Sequence, residues 1–395
     1  MTREIVKEGV IQVGARDWHR RLFDELIPLP DGTSYNAFLI LGSNKTVLID
    51  TVEVDMIQIL FDKLDEIHIE SLDYIVSNHA EQDHSGALPK LLEKYPQAII
   101  VTMEQCKNIL INKMHLPENK FKIVEDGEIL SLGNKKLEFI KAPWVHWPET
   151  FFTYLQEDKI LFPCDFMGSH WASSELFVPK GEEAKLLEAA KRYYAEIMMP
   201  FRRLIVNYLK KLENYEIEII APSHGPIHQN PELIMDAYKK WTSDKTENEV
   251  IIPYESMYGS TMHMVNYLVE KFMGAGIRVK PFKLNQTDIG ELAKALVDAR
   301  TVILGSPTVL SGAHPTVAYA AVLTNLLRPK IKYATIIGSY GWKTNIIDYL
   351  LNLLSNLKVE IIEPVLVNGE PREEDYKKLD ELFEKIKEKH QIDDE

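Results

Sequence analysis

The chain has 395 residues, which is enough for two compact domains with substantial cores. Hydrophobic residues make up 45% of it and charged residues 26%, the composition of a globular protein. The formal net charge of −14 argues against nucleic acid or an anionic membrane as a main partner. Small-molecule chemistry therefore remains open.

Cysteine content and hydropathy limit the class further. The two cysteines, Cys106 and Cys164, exclude a disulfide framework and any four-cysteine iron or zinc centre within the chain. The sequence contains no run of about 18 apolar residues, so it predicts no membrane span. The first residues carry no apolar signal-peptide core. We expect a cytoplasmic protein, since a reducing compartment fits this cysteine usage.

Short strands and helices are mixed in the N-terminal part. Strands are predicted at 8–14, 34–41 and 46–51, and 183–211 has a strongly helical composition. This pattern suits two sheets packed face to face with helices outside. We interpret the polar segment 242–248 as a linker, which predicts one domain of residues 1–248 and a second of residues 249–395.

The C-terminal part alternates regularly between strands and helices. The predicted strands are 250–254, 277–284, 301–306, 331–339 and 359–367, and the predicted last helix is 375–389. Near-continuous Val and Ile runs between helices indicate a parallel sheet that is buried on both faces. The sequence therefore predicts an α/β fold with a doubly wound, flavodoxin-like second domain.

The loop 78–86 concentrates metal-ligand side chains between a predicted buried strand and a predicted helix. It contains His79, Glu81, Asp83 and His84. Unpaired carboxylates at one point would repel each other, whereas bound cations remove that cost. Imidazole and carboxylate are both common metal ligands. A polar turn with helix-capping Asp and Ser would explain any one of these residues, but not all four together.

Three later residues join this loop. His146, Asp165 and His224 each follow the end of a predicted strand, and strand ends of one sheet can meet along a single edge. The full set is too large for one tetrahedral ion and suits two metals with open positions for a small ligand. Asp165 is the natural bridge, because a carboxylate has two oxygens whereas an imidazole has one free lone pair.

The first C-terminal strand runs into a loop rich in small hydroxyl residues, just before a helix. Backbone N–H groups, hydroxyls and the helix dipole make such a loop an anion site, although Ser or Thr there can also be a simple N-cap. A Gly-Lys-Ser/Thr P-loop and a Gly-x-Gly-x-x-Gly fingerprint are both absent. The loop consists of Ser256, Met257, Tyr258, Gly259, Ser260 and Thr261.

Two further loops follow the third and fourth strands of the predicted parallel sheet. Carboxyl ends of such strands flank the switch point where flavins bind. Gly341 would let the backbone approach a flavin ring closely, and Trp342 offers either a stacking face or an interface residue. The two loops contain Ser306, Pro307 and Thr308, then Ser339, Tyr340, Gly341 and Trp342.

The pattern His-x-Glu-x-Asp-His, followed by His, Asp and His, resembles the metallo-β-lactamase-type domain of flavodiiron proteins. The resemblance covers essentially the whole chain, because the flavodoxin-like half completes it. Hydrolases of the same superfamily carry a second His where Glu81 stands, and this exchange favours iron over zinc. The resemblance implies one iron held by His79, Glu81 and His146, a second surrounded by Asp83, His84 and His224, and Asp165 as the bridge.

The same resemblance implies cofactors, substrates and partners. FMN would contact the three C-terminal loops, and His170 and Tyr193 would line the substrate pocket. The implied reaction is reduction of O₂ to water or of NO to N₂O. The implied assembly is a head-to-tail homodimer, or a dimer of such dimers, with each flavin over the partner's irons. Since the chain has no cysteine pairs, we expect electrons from a separate rubredoxin-like protein or from a reduced deazaflavin.

Two alternatives stay open at this point. A zinc metallohydrolase with a flavodoxin-like regulatory domain would catalyse ester or thioester hydrolysis, and Glu81 opposes it. An electron carrier with a vestigial or purely structural metal domain would bind flavin and no metal. The intact set from His79 to His224 opposes that second alternative.

Overall fold

The computed structural model describes residues 4–392, and the chain divides into two compact units. The first unit contains the chain up to Tyr193 together with Phe201–Thr242, and the second contains Tyr194–Pro200 and the chain from Ser243 onward. A helix ends at Thr242 and a strand begins at Glu249, on either side of the segment interpreted as a linker. The domain boundary after residue 248 stays a prediction.

The first unit contains short strands and amphipathic helices. Its strands are β1 (Glu4–Lys7), β2 (Val10–Gln12), β3 (Ala15–Asp17), β4 (Leu22–Phe23), β5 (Ile27–Pro28), β6 (Thr33–Tyr35), β7 (Phe38–Leu41), β8 (Thr46–Ile49), β9 (Tyr74–Val76), β10 (Ile99–Thr102), β11 (Phe121–Ile123), β12 (Ile129–Ser131), β13 (Lys136–Lys141), β14 (Phe151–Leu155), β15 (Ile160–Phe162) and β16 (Ile219–Ile220). Its helices are α1 (Ile57–Glu66), α2 (Gln82–Ser85), α3 (Leu88–Lys94), α4 (Glu104–Met114), α5 (Glu183–Tyr193), α6 (Arg202–Leu212) and α7 (Pro231–Thr242).

These strands form two main sheets that pack face to face. The first has the order β1-β2-β7-β8-β9-β10-β11 and the second the order β12-β13-β14-β15-β16. Because side chains alternate along a strand, Val47 and Ile49 enter the core between the sheets, while Leu48 faces the outer helices. In the second sheet Phe151 enters that same core, and Phe152 contacts Tyr208 of α6. The predicted sandwich with outer helices is confirmed.

Two predicted elements of this unit are interrupted. The predicted strand 34–41 is two strands, because the Asn36 side chain leaves the sheet pattern and donates to the carbonyls of Pro222 and Gly225, at 2.8 Å each. The helical stretch 183–211 breaks into α5, a π-helical turn at Tyr194–Met198, a 3₁₀ turn at Met199–Phe201 and α6. Pro200 lies within this break, where its missing N–H suits a helix start.

The second unit is a parallel sheet between two layers of helices. Its strands are β17 (Glu249–Tyr254), β18 (Arg278–Lys283), β19 (Thr301–Val309), β20 (Gly312–Ala313), β21 (Tyr333–Tyr340), β22 (Glu360–Ile361) and β23 (Val365–Asn368). Its helices are α8 (Ser260–Gly274), α9 (Ile289–Leu296), α10 (Pro315–Leu327), α11 (Ile346–Leu353) and α12 (Glu373–Ile392).

The order β18-β17-β19-β21, with β22 and β23 both parallel to β21, is that of a flavodoxin-like sheet. Ile252 packs toward α8 and α12, and Ile251 packs toward α9, α10 and α11, so both faces are buried as predicted. The predicted fifth strand 359–367 is the two short strands β22 and β23, since Pro364 between them cannot donate to a ladder. Among the described residues, no helix is long and apolar enough to cross a bilayer.

Candidate functional site

The metal-type side chains of the first unit lie on loops that leave the carboxyl ends of neighbouring strands. Asn78 follows β9, and its N and Nδ2 atoms donate to the two oxygens of Asp50, at 2.8 Å each. Thr153 of β14 donates from Oγ1 to Asn78 Oδ1 at 2.6 Å, which joins the two sheets at this edge. The backbone that carries His79 is therefore fixed by both sheets.

Helix α2 fixes the second half of the same loop. Ser85 Oγ donates to the carbonyl of Glu81 at 2.7 Å, and Thr51 Oγ1 donates to the carbonyl of His84 at 2.7 Å. A four-residue helix has little stability of its own, so these hydroxyls and the preceding strand hold its shape. As a result, Asp83 and His84 occupy defined positions beside His79 and Glu81.

One group of ligand-type atoms surrounds a point on one side of Asp165. His79 Nε2 lies 3.1 Å from Glu81 Oε2 and 3.6 Å from Asp165 Oδ2. His146 Nε2 lies 3.3 Å and 3.5 Å from the same two oxygens. The four ligand-type atoms all fall within 4.8 Å of one another, which is the spacing a single bound ion requires.

A second group lies on the other side of Asp165. His84 Nε2 is 3.2 Å from Asp83 Oδ1 and 3.0 Å from Asp165 Oδ1. His224 Nε2 is 3.3 Å from Asp83 Oδ2 and 3.1 Å from Asp165 Oδ1. Asp165 thus presents Oδ2 to the first group and Oδ1 to the second, which is the arrangement predicted for a bridging carboxylate.

The chemistry of these groups fits bound cations. Asp83 Oδ1 and His84 Nε2 are buried and close together, yet neither makes a hydrogen bond within the described part of the chain. Burial disfavours charged imidazoles, but the Asp165 and Glu81 carboxylates outweigh it and raise the pKa of His146 to about 9. Asp165 and Asp83 likewise overcome burial and raise the pKa of His224 to about 10. Two divalent ions on neutral imidazoles would supply the positive charge that these carboxylates favour.

Outer hydrogen bonds orient the histidines. Glu149 is buried, and its Oε1 accepts from His79 Nδ1 at 2.8 Å and from the Ala80 N–H at 3.1 Å. His224 Nδ1 donates to the carbonyl of Ser34 at 2.6 Å. Such partners fix which ring nitrogen is free for a metal. Sequence reasoning missed Glu149, although its place three residues after His146 in the same loop was a usable signal.

The two predicted pocket residues lie beside the second group. Tyr193 donates from its hydroxyl to Asp165 Oδ1 at 2.8 Å. The His170 ring lies 4.7 Å from the Tyr193 ring and 5.2 Å from the His224 ring, centroid to centroid. Burial, and then the positive charge of His224, hold the pKa of His170 well below its usual range. Their roles in catalysis stay predictions.

A cavity of about 240 Å³ opens next to these groups. Glu81, Asp83, His170 and His224 contribute to its wall, as does Trp147. The remaining lining includes residues that sequence reasoning did not single out, among them Arg20, Phe23, Asp24, Thr33, Tyr35 and Lys113. No local pattern marks them, because they reach the cavity from segments that are distant in sequence.

In the second unit, the predicted anion loop and the two later segments lie at one edge of the parallel sheet. Tyr254 pairs with Gly305, and Pro307 pairs with Ser339, so the three strand ends are neighbours. Thr261 Oγ1 and Ser339 Oγ are 3.2 Å apart. The residues 306–308 and 339–340 lie in the last part of β19 and β21 and not in loops, since both strands extend further than predicted.

The side chains at this edge differ in exposure. Ser306 and Thr261 are buried, while Tyr258 is 93% and Trp342 84% exposed. Ser256 Oγ accepts from the Gly259 and Met262 N–H groups at 3.2 Å each, so it orders the start of α8, whose N-cap residue is Gly259. Short hydroxyls, backbone amides at a helix start and exposed aromatic faces suit a phosphorylated flat cofactor. The assignment of individual residues to FMN stays a prediction.

Comparison with known proteins covers both units. Residues 33–225 match the family model for the ODP family beta lactamase, and residues 252–382 match the model for flavodoxin. The chain is 37% identical over 391 residues to a nitric oxide reductase of Moorella thermoacetica, an alignment that covers 96% of this chain and 97% of the relative. It is 35% identical over 351 residues to an anaerobic nitric oxide reductase flavorubredoxin of Vibrio vulnificus, with 87% and 71% covered.

Solved structures show the same similarity. The rubredoxin oxygen:oxidoreductase of Desulfovibrio gigas superposes with a TM-score of 0.95 at 30% identity, covering 99% of each chain. The flavodiiron protein of Giardia intestinalis superposes with a TM-score of 0.91 at 26% identity, covering 100% of this chain and 98% of the other.

A sandwich that collects carboxylates and imidazoles, combined with a flavodoxin domain, defines a metalloflavoprotein. Within that class, this chain belongs to the flavodiiron protein family of oxidoreductases, which carry FMN and a non-heme diiron centre. The family, fold and cofactors predicted from the sequence are thereby confirmed, and the metallohydrolase alternative is disfavoured.

Proposed function

We propose that this protein reduces O₂ to water, NO to N₂O, or both, at a diiron centre that receives electrons from FMN. One observation carries the proposal: the two oxygens of Asp165 face two separate groups of ligand atoms beside a cavity of about 240 Å³. A site with two adjacent metals and open positions suits a small ligand that must be held between them.

We assign the ligands by group. His79, Glu81 and His146 would hold one iron, Asp83, His84 and His224 would hold the other, and Asp165 would contribute one oxygen to each group. His84 belongs to this set because its Nε2 approaches both Asp83 and Asp165, yet this atom has no hydrogen-bond partner among the described residues. Bound FMN supplies electrons singly or in pairs, and the irons supply binding positions for the diatomic molecule.

The protein residues prepare this centre. Glu149 holds His79 in the tautomer whose Nε2 is free, and the carbonyl of Ser34 does the same for His224. The Tyr193 hydroxyl stabilises the negative charge on Asp165 by donating a hydrogen bond to its Oδ1. The cavity of about 240 Å³ is much larger than the space that one water molecule needs, so a diatomic molecule fits there together with water.

In the second unit we assign the FMN phosphate to the loop Ser256–Thr261, at the N-terminus of α8. We assign the flavin ring to the segments 306–308 and 339–342. Ser256 lies on the loop before this helix and Thr261 in its first turn, where N–H groups and the helix dipole favour a phosphate.

We further propose a head-to-tail homodimer and a separate electron donor, which is a rubredoxin-like protein or a reduced deazaflavin. A head-to-tail arrangement would place the flavin of one chain beside the irons of its partner. Mixed dimers test this arrangement. Chains with a disabled metal site, combined with chains with a disabled flavin loop, would regain activity only if the two cofactors work across the dimer.

The first experiment is the metal and flavin content of the purified protein, followed by O₂ and NO consumption by the pre-reduced enzyme. About two irons and one FMN per chain, with rapid consumption of either gas, would support the proposal. Zinc without iron would instead support a hydrolase. FMN without any metal after reconstitution with ferrous ion would leave an electron carrier.

A further inference from the structure

The two nitrogens of the His170 ring have different surroundings. Nδ1 lies 2.9 Å from Thr33 Oγ1 on strand β6. Nε2 is buried and makes no hydrogen bond with any residue that the structure describes. The ring is held between the Phe23 ring, at a centroid distance of 5.1 Å, and the Tyr193 ring, at 4.7 Å. Both His170 and Thr33 line the cavity beside the metal-type groups.

The direction of the hydrogen bond between Thr33 and His170 follows from the neighbouring contacts. The Thr33 hydroxyl has three possible acceptors: His170 Nδ1 at 2.9 Å, the carbonyl of Ser34 at 3.4 Å and His224 Nδ1 at 3.5 Å. His224 Nδ1 lies 2.6 Å from the carbonyl of Ser34, which can only accept, so that nitrogen carries a proton and cannot accept one. The shortest remaining route for the hydroxyl proton is to His170 Nδ1.

We propose that Thr33 is a positioning residue that fixes the His170 tautomer, so that Nε2–H is a hydrogen-bond donor for the small molecule bound at the diiron centre. If the Thr33 hydroxyl donates to Nδ1, the proton of a neutral imidazole must be on Nε2. A buried N–H group without a protein partner is costly. A ligand in the cavity would satisfy it, and this inference rests on the proposed diatomic substrate.

Thr33 acts on His170, which is not among the proposed metal ligands. Glu149 differs, because it acts on the proposed ligand His79. The Thr33 hydroxyl is itself buried, with 2% of the residue exposed, so solvent does not compete for its hydrogen bond to His170. The contact joins two segments that are distant in sequence, β6 and the loop after Asp165. Thr33 on β6 therefore decides which ring nitrogen of His170 carries the proton.

The direct test is the ¹⁵N spectrum of histidine-labelled protein, read in the metal-free and the zinc-loaded chain, which are both diamagnetic. A His170→Asn variant assigns the two ring signals of His170 by their absence. In the wild type we expect a protonated Nε2 and an unprotonated, hydrogen-bonded Nδ1. A proton on Nδ1 would overturn the proposal.

Two variants of Thr33 complete the test. Thr33→Val keeps the shape of the side chain and removes the hydroxyl, so the Nδ1 signal should move to the position of a nitrogen without a hydrogen bond. Thr33→Ser should restore the wild-type signal. With azide as the probe of the diferric protein, we expect roughly tenfold weaker binding in Thr33→Val, the value of one hydrogen bond, and near wild-type binding in Thr33→Ser.

Different results would contradict the role of Thr33 and the proposed reduction of O₂ or NO. A Thr33→Val spectrum identical to that of the wild type, or unchanged azide affinity, would contradict the role given to Thr33. Failure of the proposed function would appear as a reduced wild-type enzyme that consumes neither O₂ nor NO. The tautomer is read without any redox turnover, so one result does not decide the other.

Discussion

The two units of this protein present their chemistry in opposite ways. In the first unit the functional side chains are buried and face each other, as His79 and Asp165 do at 0% and 1% exposure. In the second unit the edge combines backbone amides and short hydroxyls with aromatic side chains that are almost fully exposed, such as Tyr258 and Trp342. A cluster of buried charges needs the whole fold to assemble it, whereas an anion-binding edge follows from sheet topology alone.

This contrast has a thermodynamic side. Buried carboxylates and imidazoles are stable only if they are paired with each other or with ions. The first unit therefore depends on its metals more than the second depends on FMN. Changes in each unit should then affect one cofactor and leave the other in place, and the following predictions test that separation.

The largest effect is expected from Asp165→Asn. This change keeps the size of the side chain but removes the negative charge shared by both ligand groups. We expect iron to fall from about two ions per chain to nearly none, with FMN content unchanged, measured by elemental analysis and the visible spectrum. Asp83→Asn is the matched control and should lose only about one iron, because Asp83 approaches the second group alone. Retention of two irons in Asp165→Asn would contradict the bridging role.

A smaller effect on the same unit is expected from Glu149→Ala. The change removes the acceptor for His79 Nδ1, so the ring loses its fixed tautomer and part of its basicity. We expect metal affinity to fall roughly 10- to 100-fold, measured by competition with a chelator. Glu149→Gln keeps an acceptor oxygen and should show a smaller loss. Equal affinities in all three proteins would mean that Glu149 has no part in metal binding.

A change in the second unit should affect FMN and leave the iron content unchanged. Ser256→Ala removes the hydroxyl that orders the Gly259 and Met262 amides at the start of α8. We expect roughly fivefold weaker FMN binding, because losing the hydrogen bonds that order these amides should cost about 1 kcal/mol. Fluorescence titration of the apoprotein with FMN measures this change. Iron content should stay as in the wild type, and Ser256→Thr should bind FMN nearly normally. Loss of iron in Ser256→Ala would contradict the independence of the two sites.

The smallest effect concerns stability in acid. His228 is buried in the first unit, donates from Nε2 to the Met167 carbonyl, and burial lowers its pKa to about 4. In the unfolded chain its pKa is near 6.5, so the unfolded state takes up a proton first as the pH falls. The folded state should therefore lose about 2 to 3 kcal/mol from this residue between pH 6.5 and pH 4.5.

The His228 effect is measured as the difference between wild type and His228→Gln in urea unfolding across that pH range. Gln keeps an N–H donor but does not titrate. The protonation of the metal-ligand groups affects both proteins and cancels in the difference. Parallel pH profiles for the two proteins would show that His228 does not contribute to acid sensitivity.

The parts of the fold that could be predicted were those with a local cause. Near-continuous Val and Ile runs between helices predicted the parallel sheet, and its strand bounds differ from the prediction by a few residues except where tertiary contacts intervene. Asn36 interrupts a run that is apolar enough for one strand, because its amide bonds to carbonyls near His224. Pro200 and Pro364 interrupt elements whose neighbours have the right propensity.

The candidate metal site could be predicted because each of its residues follows a recognisable strand, and because a loop with both His and carboxylates has few other uses. Sequence also indicated that Asp165 is the bridge, and the distances from its two oxygens agree with that role. Glu149 and Thr33 were not predicted. Their side chains are ordinary in sequence, and their function depends on a ring nitrogen that only the folded chain brings near them.

The sequence by itself determined the fold class and the family and indicated a set of candidate metal ligands, because periodicity and ligand spacing are properties of short segments. Only the tertiary structure decided which oxygen of Asp165 faces which group, which ring nitrogen of His79 and of His224 is held by a partner, and which remote residues line the cavity. These are decided by contacts between segments far apart in the chain, and no local pattern encodes a distance across two packed sheets.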